Sequence, residues 1–368
     1  MLQGEIGQVK IYPFHEETTG LYHSAAWGCL ESRFFLSIET SAFEKKGYRL
    51  LLSIFIERFF CHGITFFDFD KTKLLQIVKF VVLVTQSNMK RYLLIMMAAL
   101  MVLPFSVSAK KKTADIKVIS YNIRLGVAKD GTNSWEFRYP ASAMMIDDQK
   151  PDIFGVQEAY DFQVKYLEEA CQDYKSVGVG REDGKHEGEH MSIFYNKKTT
   201  KLLKWGTFWL SETPEVPSMG WDAACFRTAT WALLKDKASG KKYYYVNTHL
   251  DHVGWEARKN GMKLIVDRID SINPKGLPMI VTGDFNMTID RPEFNDMKKM
   301  MKNAREEAVK TDHHATFNGW GKASPDSIID YIWYKGFSSC TEYETITKPY
   351  MERKYISDHY PITATLIF

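Results

Sequence analysis

Residues 278–286 read PMIVTGDFN: four largely apolar residues, Met279 to Thr282, then Gly283, then Asp284 and Asn286 two positions apart. A short apolar run rich in β-branched side chains and closed by Gly and Asx residues reads as a buried strand with its polar end at the following turn. On extended backbone, residues i and i+2 face the same side. Asp284 and Asn286 are therefore expected to face one place, where the carboxylate can align or deprotonate a water and the amide can donate to an anionic oxygen. An ordinary Asx turn is the plainer alternative.

The same design recurs outward from this run. IKVISYN from Ile116, DIFGVQE from Asp152, MSIFYN from Met191, ATWALLK from Ala229, YYYVNTHL from Tyr243, IIDYIWY from Ile328 and the terminal PITATLIF are also predicted strands. Helices are predicted at about 134–149 and 161–172, over WEARKNGMKLIVDRIDSI from Trp255, and over PEFNDMKKMMKNA from Pro292. In the third, Met262, Ile265, Val266 and Ile269 share one face at i, i+3, i+4, i+7 spacing. Strands alternating with helices define a mixed α/β chain. Asn122, Glu158, His249, Asp284 with Asn286, and Asp358 with His359 all sit at or beside a strand end, where rigid elements hold catalytic loops.

Each of these side chains suits one kind of chemistry. Glu158 follows an apolar strand, so its carboxylate must be paired or bound to a metal, and a hard cation such as Mg²⁺ takes such an oxygen. His249 and His359 are candidate proton handlers or phosphate contacts, because imidazole titrates near neutrality. Each needs a carboxylate to fix its tautomer. Asp330 is the expected partner of His359, and Glu189 of His249.

Taken in order, YNI around Asn122, VQE at Glu158, NTHLDH at His249, GDFN at Asp284 and Asn286, IDYI at Asp330 and SDHYP at Asp358 and His359 resemble the endonuclease/exonuclease/phosphatase superfamily from about Ile116 to Ile367. The resemblance implies a four-layer α/β sandwich: two mixed β-sheets face to face with helices outside. It also implies cleavage of a phosphoester by activated water with a divalent metal, Mg²⁺ with Mn²⁺ as the alternative. Glu158 would bind the metal, with Asn122 close by and Asp358 supporting metal or histidine. Asp284, Asn286, His249 and His359 would serve water, phosphate and leaving group, with Asp330 and Glu189 orienting the two histidines. Arg227 would add a phosphate contact, although an arginine is most often exposed.

Departures narrow the substrate. Ile123-Arg124 follows Asn122, where abasic-site nucleases carry an acid, and SIIDYIWY stands where the inositol-polyphosphate 5-phosphatase signature would be. TFWLSETPEVP from Thr207 and CFRTATWALL resemble the deadenylase-related branch and its bacterial secreted relatives.

The first third of the chain reads differently. Residues 89–109, MKRYLLIMMAALMVLPFSVSA, have two positive charges, an uncharged run and small residues at the end, the layout of a signal peptide. Residues 1–88 are then expected to be a mis-called N-terminal extension, with 110–368 as one catalytic domain. Beyond residue 109 the chain holds 37 Lys and Arg against 36 Asp and Glu, a balance that argues against tight non-specific nucleic-acid binding. Three cysteines remain there, with no zinc-type spacing.

The sequence thus points to an exported, periplasmic or secreted, phosphodiesterase or nuclease. A phospholipid head-group hydrolase, a phosphomonoesterase and a decayed phosphate-binding module are the alternatives. The expected partner is a phosphoester, with nucleic acid admitted although no basic patch is evident. A monomer without a stable membrane anchor after processing is expected.

Overall fold

The computed structural model describes residues 114–368. Residues 1–88 and the predicted signal peptide at 89–109 lie outside the described residues. The strands are β1 Asp115–Asn122, β2 Ile153–Gln157, β3 Ala159–Tyr160, β4 Tyr174–Val177, β5 Glu189–His190, β6 Ile193–Asn196, β7 Thr200–Trp209, β8 Thr228–Asp236, β9 Lys242–His249, β10 Met279–Asp284, β11 Lys302–Asn303, β12 Asp330–Lys335, β13 Ser339–Thr345 and β14 Ile362–Ile367. The helices are α1 Trp135–Gln149, α2 Asp161–Ala170, α3 Trp255–Ile272, α4 Asn295–Met300 and α5 Ala304–Glu307.

Two six-stranded mixed sheets form, in the orders β13-β14-β1-β2-β6-β4 and β11-β12-β10-β9-β8-β7, beside a two-stranded β3-β5 ribbon. Their central strands are apolar on both faces because both faces are covered. Ile116, Val118 and Ile153 of the first sheet pack against Tyr243, Tyr245, Ile280, Ile332 and Tyr334 of the second. The intervening residues point outward: Ile119, Tyr121, Phe154 and Val156 onto Met145 and Ile146 of α1 and Val164 and Leu167 of α2. On the other side Tyr244, Val246, Met279, Val281 and Trp333 meet Met262, Ile265 and Ile269 of α3. Period-two alternation in the strands thus produces the expected four layers.

Between the sheets the inward row changes character toward one end. Beyond the aliphatic residues come Ser120 and Asn122 on β1, Gln157 on β2, Asn247 and His249 on β9, Thr282 and Asp284 on β10, and Asp330 on β12, every one buried. Gln157 Nε2 donates to Asn247 Oδ1 at 2.6 Å and to Ser120 Oγ at 3.2 Å, and Thr282 Oγ1 donates to Asn247 Oδ1 at 3.2 Å. Buried polar groups are tolerated when bonded in this way, and here the bonds tie one sheet to the other. Gly155 lets them come this close: a Cβ there would stand 2.5 Å from the Asn247 side chain.

Two predictions of local structure are corrected. The helix expected from Pro292 to Ala304 is broken into a 3₁₀ turn, α4 and α5, because Lys302 and Asn303 leave helical geometry to pair with Tyr334 and Trp333 of β12. Strands β4, β7 and β13 are too short or too rich in lysine, threonine and glutamate to stand out as apolar runs, yet all three close sheet edges. All three cysteines of the described residues, Cys171, Cys225 and Cys340, are free thiols. No described helix is long and apolar enough to cross a membrane.

Candidate active site

Register assembles one half of the centre. Asp284 stands opposite Asp330 in the β10–β12 ladder and opposite His249 in the β9–β10 ladder, so three polar side chains lie in one row across the second sheet. Facing them, Asn122 is the register partner of Gln157, and Glu158 follows at the end of β2. Asn122 Nδ2 closes the gap between sheets, donating to Asp284 Oδ2 and to Glu158 Oε1, each at 3.0 Å. Its Oδ1 accepts the Arg124 N–H at 3.0 Å.

Asp284 Oδ2 is the hub. His249 Nε2 and His359 Nε2 each lie 3.5 Å from it. His359 Nδ1 lies 2.8 Å from Asp330 Oδ2, which is the pairing expected from the sequence. That ring therefore bridges two carboxylates. Burial opposes its charge, but Asp330 and Asp284 outweigh burial and raise its pKa above the ordinary imidazole value. Asp284 is pushed up first by burial and next by Asp330, with His359 pulling the other way.

His249 is held differently. Burial, then the positive charges of Arg227 and Arg181, push its pKa well below the ordinary value, so it is neutral. Asn286 Nδ2 donates to the Leu250 carbonyl at 3.0 Å, which fixes the amide orientation, and its other hydrogen points to His249 Nε2 at 3.0 Å. His249 Nε2 thus accepts and Nδ1 carries the ring proton. The partnership of Glu189 with His249 expected from the sequence is not present. Glu189 sits on β5, where its carboxylate is taken by Arg181 at 2.7 Å, and His249 Nδ1 has no hydrogen-bond partner among the described residues.

A second correction concerns Asn286. The chain does not stay extended after Asp284: Asn286 has φ +50°, and its N–H bonds back to Asp284 Oδ1 at 2.9 Å. The Asx turn is real, and it aims the Asn286 amide at His249. Arg124 and Glu158 share this left-handed backbone, with φ +60° and +61°. Such positions cost about 1–3 kcal/mol each in non-glycine residues and gather at functional sites.

Glu158 Oε2 accepts the Leu125 N–H at 3.0 Å, so both of its oxygens are oriented. Arg124 lies 3.9 Å from Glu158 and 3.6 Å from Asp358, and donates to Asp130 at 3.0 and 3.2 Å. Asp358 is buried and its pKa is raised by burial and by Glu158. Arg227 is not a surface residue: it is 5 % exposed, bonded to Asp251 Oδ2 at 3.2 Å and to His252 Nδ1 at 2.8 Å. Asp251 was visible inside NTHLDH, whereas Arg181 and Asp130 have no distinguishing sequence context.

The pattern of the endonuclease/exonuclease/phosphatase family matches residues 119–359, and the chain belongs to that family. It is therefore a metal-dependent hydrolase of phosphoester bonds. A family member from Bacteroides vulgatus is 36% identical with a TM-score of 0.65, the match covering 69% of this chain and 98% of that one. A mannosyl-6-phosphatase of Bacteroides thetaiotaomicron is 34% identical with a TM-score of 0.66, over 69% of this chain and 100% of that one. An uncharacterized protein of Acanthamoeba polyphaga mimivirus is 26% identical over 67% of this chain and 98% of its own length.

The residues present fit a divalent ion. Glu158, Asp284 and His359 bring donor atoms within 4.8 Å of one another. Four carboxylates, those of Glu158, Asp284, Asp330 and Asp358, converge on a mostly buried space, and buried acids in such number call for a compensating cation. Hard oxygen donors without thiolate suit Mg²⁺ or Mn²⁺. Cys225, Asp251 and His252 also cluster, but the Arg227 guanidinium already holds Asp251 and His252.

Proposed function

We propose that the chain is an exported, Mg²⁺-dependent phosphatase acting on a small soluble phosphoester, a phosphorylated sugar before others. The observation that carries the catalytic part is the Asp284 carboxylate, fixed by Asn122 and the Asn286 N–H and flanked by two imidazoles at 3.5 Å. Choice of a sugar phosphate rests on the likeness to the mannosyl-6-phosphatase and on the near-balanced charge beyond residue 109.

In this reading Glu158 holds the ion, with Asn122 and Asp358 beside it. When bound, the ion supplies positive charge to the phosphoryl oxygens. Asp284 accepts a hydrogen bond from the attacking water and aligns it, or takes its proton. His359, charged by Asp330 and Asp284, donates to the oxygens that gain charge in the transition state, and the Asn286 amide holds the His249 ring in place. His249 is neutral and steers through its ring edge. Arg227 anchors the Asp251–His252 loop next to it and lends positive potential to the phosphate.

A panel with Mg²⁺, with and without EDTA, tests this: hexose 6-phosphates, a chromogenic diester, single-stranded RNA and DNA, and sphingomyelin. Chelator-sensitive release of phosphate from the sugars is the expected outcome. Turnover of the diester or nucleic acid in their place would restore the nuclease reading that the motifs put first, and no turnover of any of them would sink the catalytic reading. Glu158→Gln keeps size and removes charge, so the Mg²⁺ concentration for half-maximal activity should rise by about tenfold or more. Unchanged metal dependence in a titration of that variant removes Glu158 from the metal.

Export is proposed on residues 89–109 alone. Expression in the native host should yield a product beginning near Lys110, and an intact mass that retains residues 1–88 would refute it.

A further inference from the structure

Along the loop that follows Asn122 lies an open cleft of about 830 Å³ lined by Gly126, Lys129, Ser134, Trp135, Phe137 and Phe162, among others. Its volume is that of a ligand site rather than a packing defect. The cleft adjoins the catalytic centre through two consecutive residues. The Leu125 N–H holds Glu158 Oε2, and the next residue, Gly126, is already cleft wall. Phe162 packs on Gly126 so closely that a Cβ there would stand 2.5 Å from the ring tip. Arg124 fastens the start of the 125–134 loop to Asp130, and Arg353 Nη1 fastens its far end through the Thr132 carbonyl at 3.1 Å.

Two features of the wall leave groups open to a ligand. Phe137 and Phe162 are 45 % and 44 % exposed, although large apolar side chains of this kind normally go to the core. Ser134 stands at the N-cap of α1 but makes no capping hydrogen bond, so its hydroxyl is not spent on the helix. Lys129, Thr132 and Glu136 add a donor cation, a hydroxyl and a carboxylate to the same wall. Aromatic faces interleaved with hydroxyls and single charges of both signs match a polyhydroxylated ring: its C–H face packs on an aromatic surface and its hydroxyls bond to the rim. A polynucleotide would require a run of cations, and the lining offers one lysine beside one glutamate.

We propose that this cleft is the leaving-group subsite, and that it grips the pyranose ring of a sugar phosphate between Phe137 and Phe162 while the phosphate sits at Asp284 and Glu158. This rests on the phosphatase reading above. The two rings are specificity-determining residues that act on the alcohol half of the ester and leave the reacting atoms to others.

The test compares a hexose 6-phosphate with glycerol 3-phosphate, the same type of ester without a ring, in Mg²⁺. Phe137→Ala is the primary variant, because an exposed ring can be removed without unpacking the core. Phe162→Ala is the second, with Phe162→Tyr as the conservative rescue. Each alanine variant should raise KM for the hexose 6-phosphate about fivefold to tenfold, in line with the worth of a ring-stacking contact, with kcat changed less than twofold. For glycerol 3-phosphate kcat/KM should stay within about twofold, and Phe162→Tyr should restore the hexose KM. Unchanged KM in both alanine variants, or equal losses on both substrates, overturns the subsite while leaving the phosphatase reading intact. Wild-type protein that hydrolyses glycerol 3-phosphate but no hexose phosphate overturns the sugar assignment itself, and wild-type protein that hydrolyses neither overturns the phosphatase reading beneath it.

Discussion

Asp284→Asn is expected to lower kcat by about 10²–10⁴, the range of a positioned acid or base, with KM changed only a few-fold. The change is small in volume and large in hydrogen-bonding capacity. Asp284 uses both oxygens as acceptors: Oδ1 takes the Asn286 N–H at 2.9 Å and Oδ2 takes Asn122 Nδ2 at 3.0 Å, with the two histidine Nε2 atoms 3.5 Å away. An amide can satisfy only one of these directions. If its oxygen faces Asn286, its NH₂ meets the Asn122 NH₂ group; if it turns round, the Asx bond that shapes the 284–286 turn is lost. Either way no group remains to hold a water against the phosphate. Steady-state kinetics with a melting curve decide the matter: a kcat within tenfold of wild type, in a folded variant, would move the water-aligning role elsewhere.

The layers of this fold were legible because they follow from a short-range rule. Tyr243 and Tyr245 face one sheet while Tyr244 faces the α3 side, and the same parity in PMIVTGDFN sends Ile280, Thr282 and Asp284 inward. Parity is a property of consecutive residues, so sequence carries it. Partnership between strands is not. Asp330 and His359 could be paired in advance because each lies in a motif that marks a strand end. Glu189 looked equally suitable for His249, and nothing in its neighbourhood announces that Arg181, eight residues earlier, folds back across a turn to claim it. The choice between extended backbone and an Asx turn at Asn286 stays open in the sequence for a related reason. A β10 strand that ended two residues later would have kept Asp284 and Asn286 on one face, and the end of a strand is decided by its ladder partners, here Asp330 and His249. The aromatic rings of the cleft come from the first turns of α1 and α2, and only tertiary packing shows that Phe137 and Phe162 remain uncovered.

Asp330 and His359 should behave as one unit. The ring bonds Asp330 Oδ2 at 2.8 Å through Nδ1 and faces Asp284 Oδ2 at 3.5 Å through Nε2, so its positive charge lies between two buried carboxylates that are direct register partners. His359→Ala removes that charge and leaves Asp330 and Asp284 facing each other without it. The expected loss is about 10²–10⁴ in kcat, with a cost of about 3–5 kcal/mol in stability for breaking a buried pair. Asp330→Ala in the same chain removes one of the two stranded acids. The double variant should therefore be no slower than His359→Ala by more than a few-fold, and at least as stable, because much of the penalty in the single variant is the unpaired charge it leaves behind. Asp330→Asn alone keeps a hydrogen-bond acceptor for Nδ1 but weakens support for the charged ring, so its kcat should fall between wild type and His359→Ala. Kinetics and thermal unfolding of the two alanine variants at 330 and 359 and of their double close the cycle. If both the rate losses and the stability losses add in full, the ring is not held as a cation by Asp330, and Asp358, next to His359 and 3.6 Å from Arg124, becomes the acid to examine.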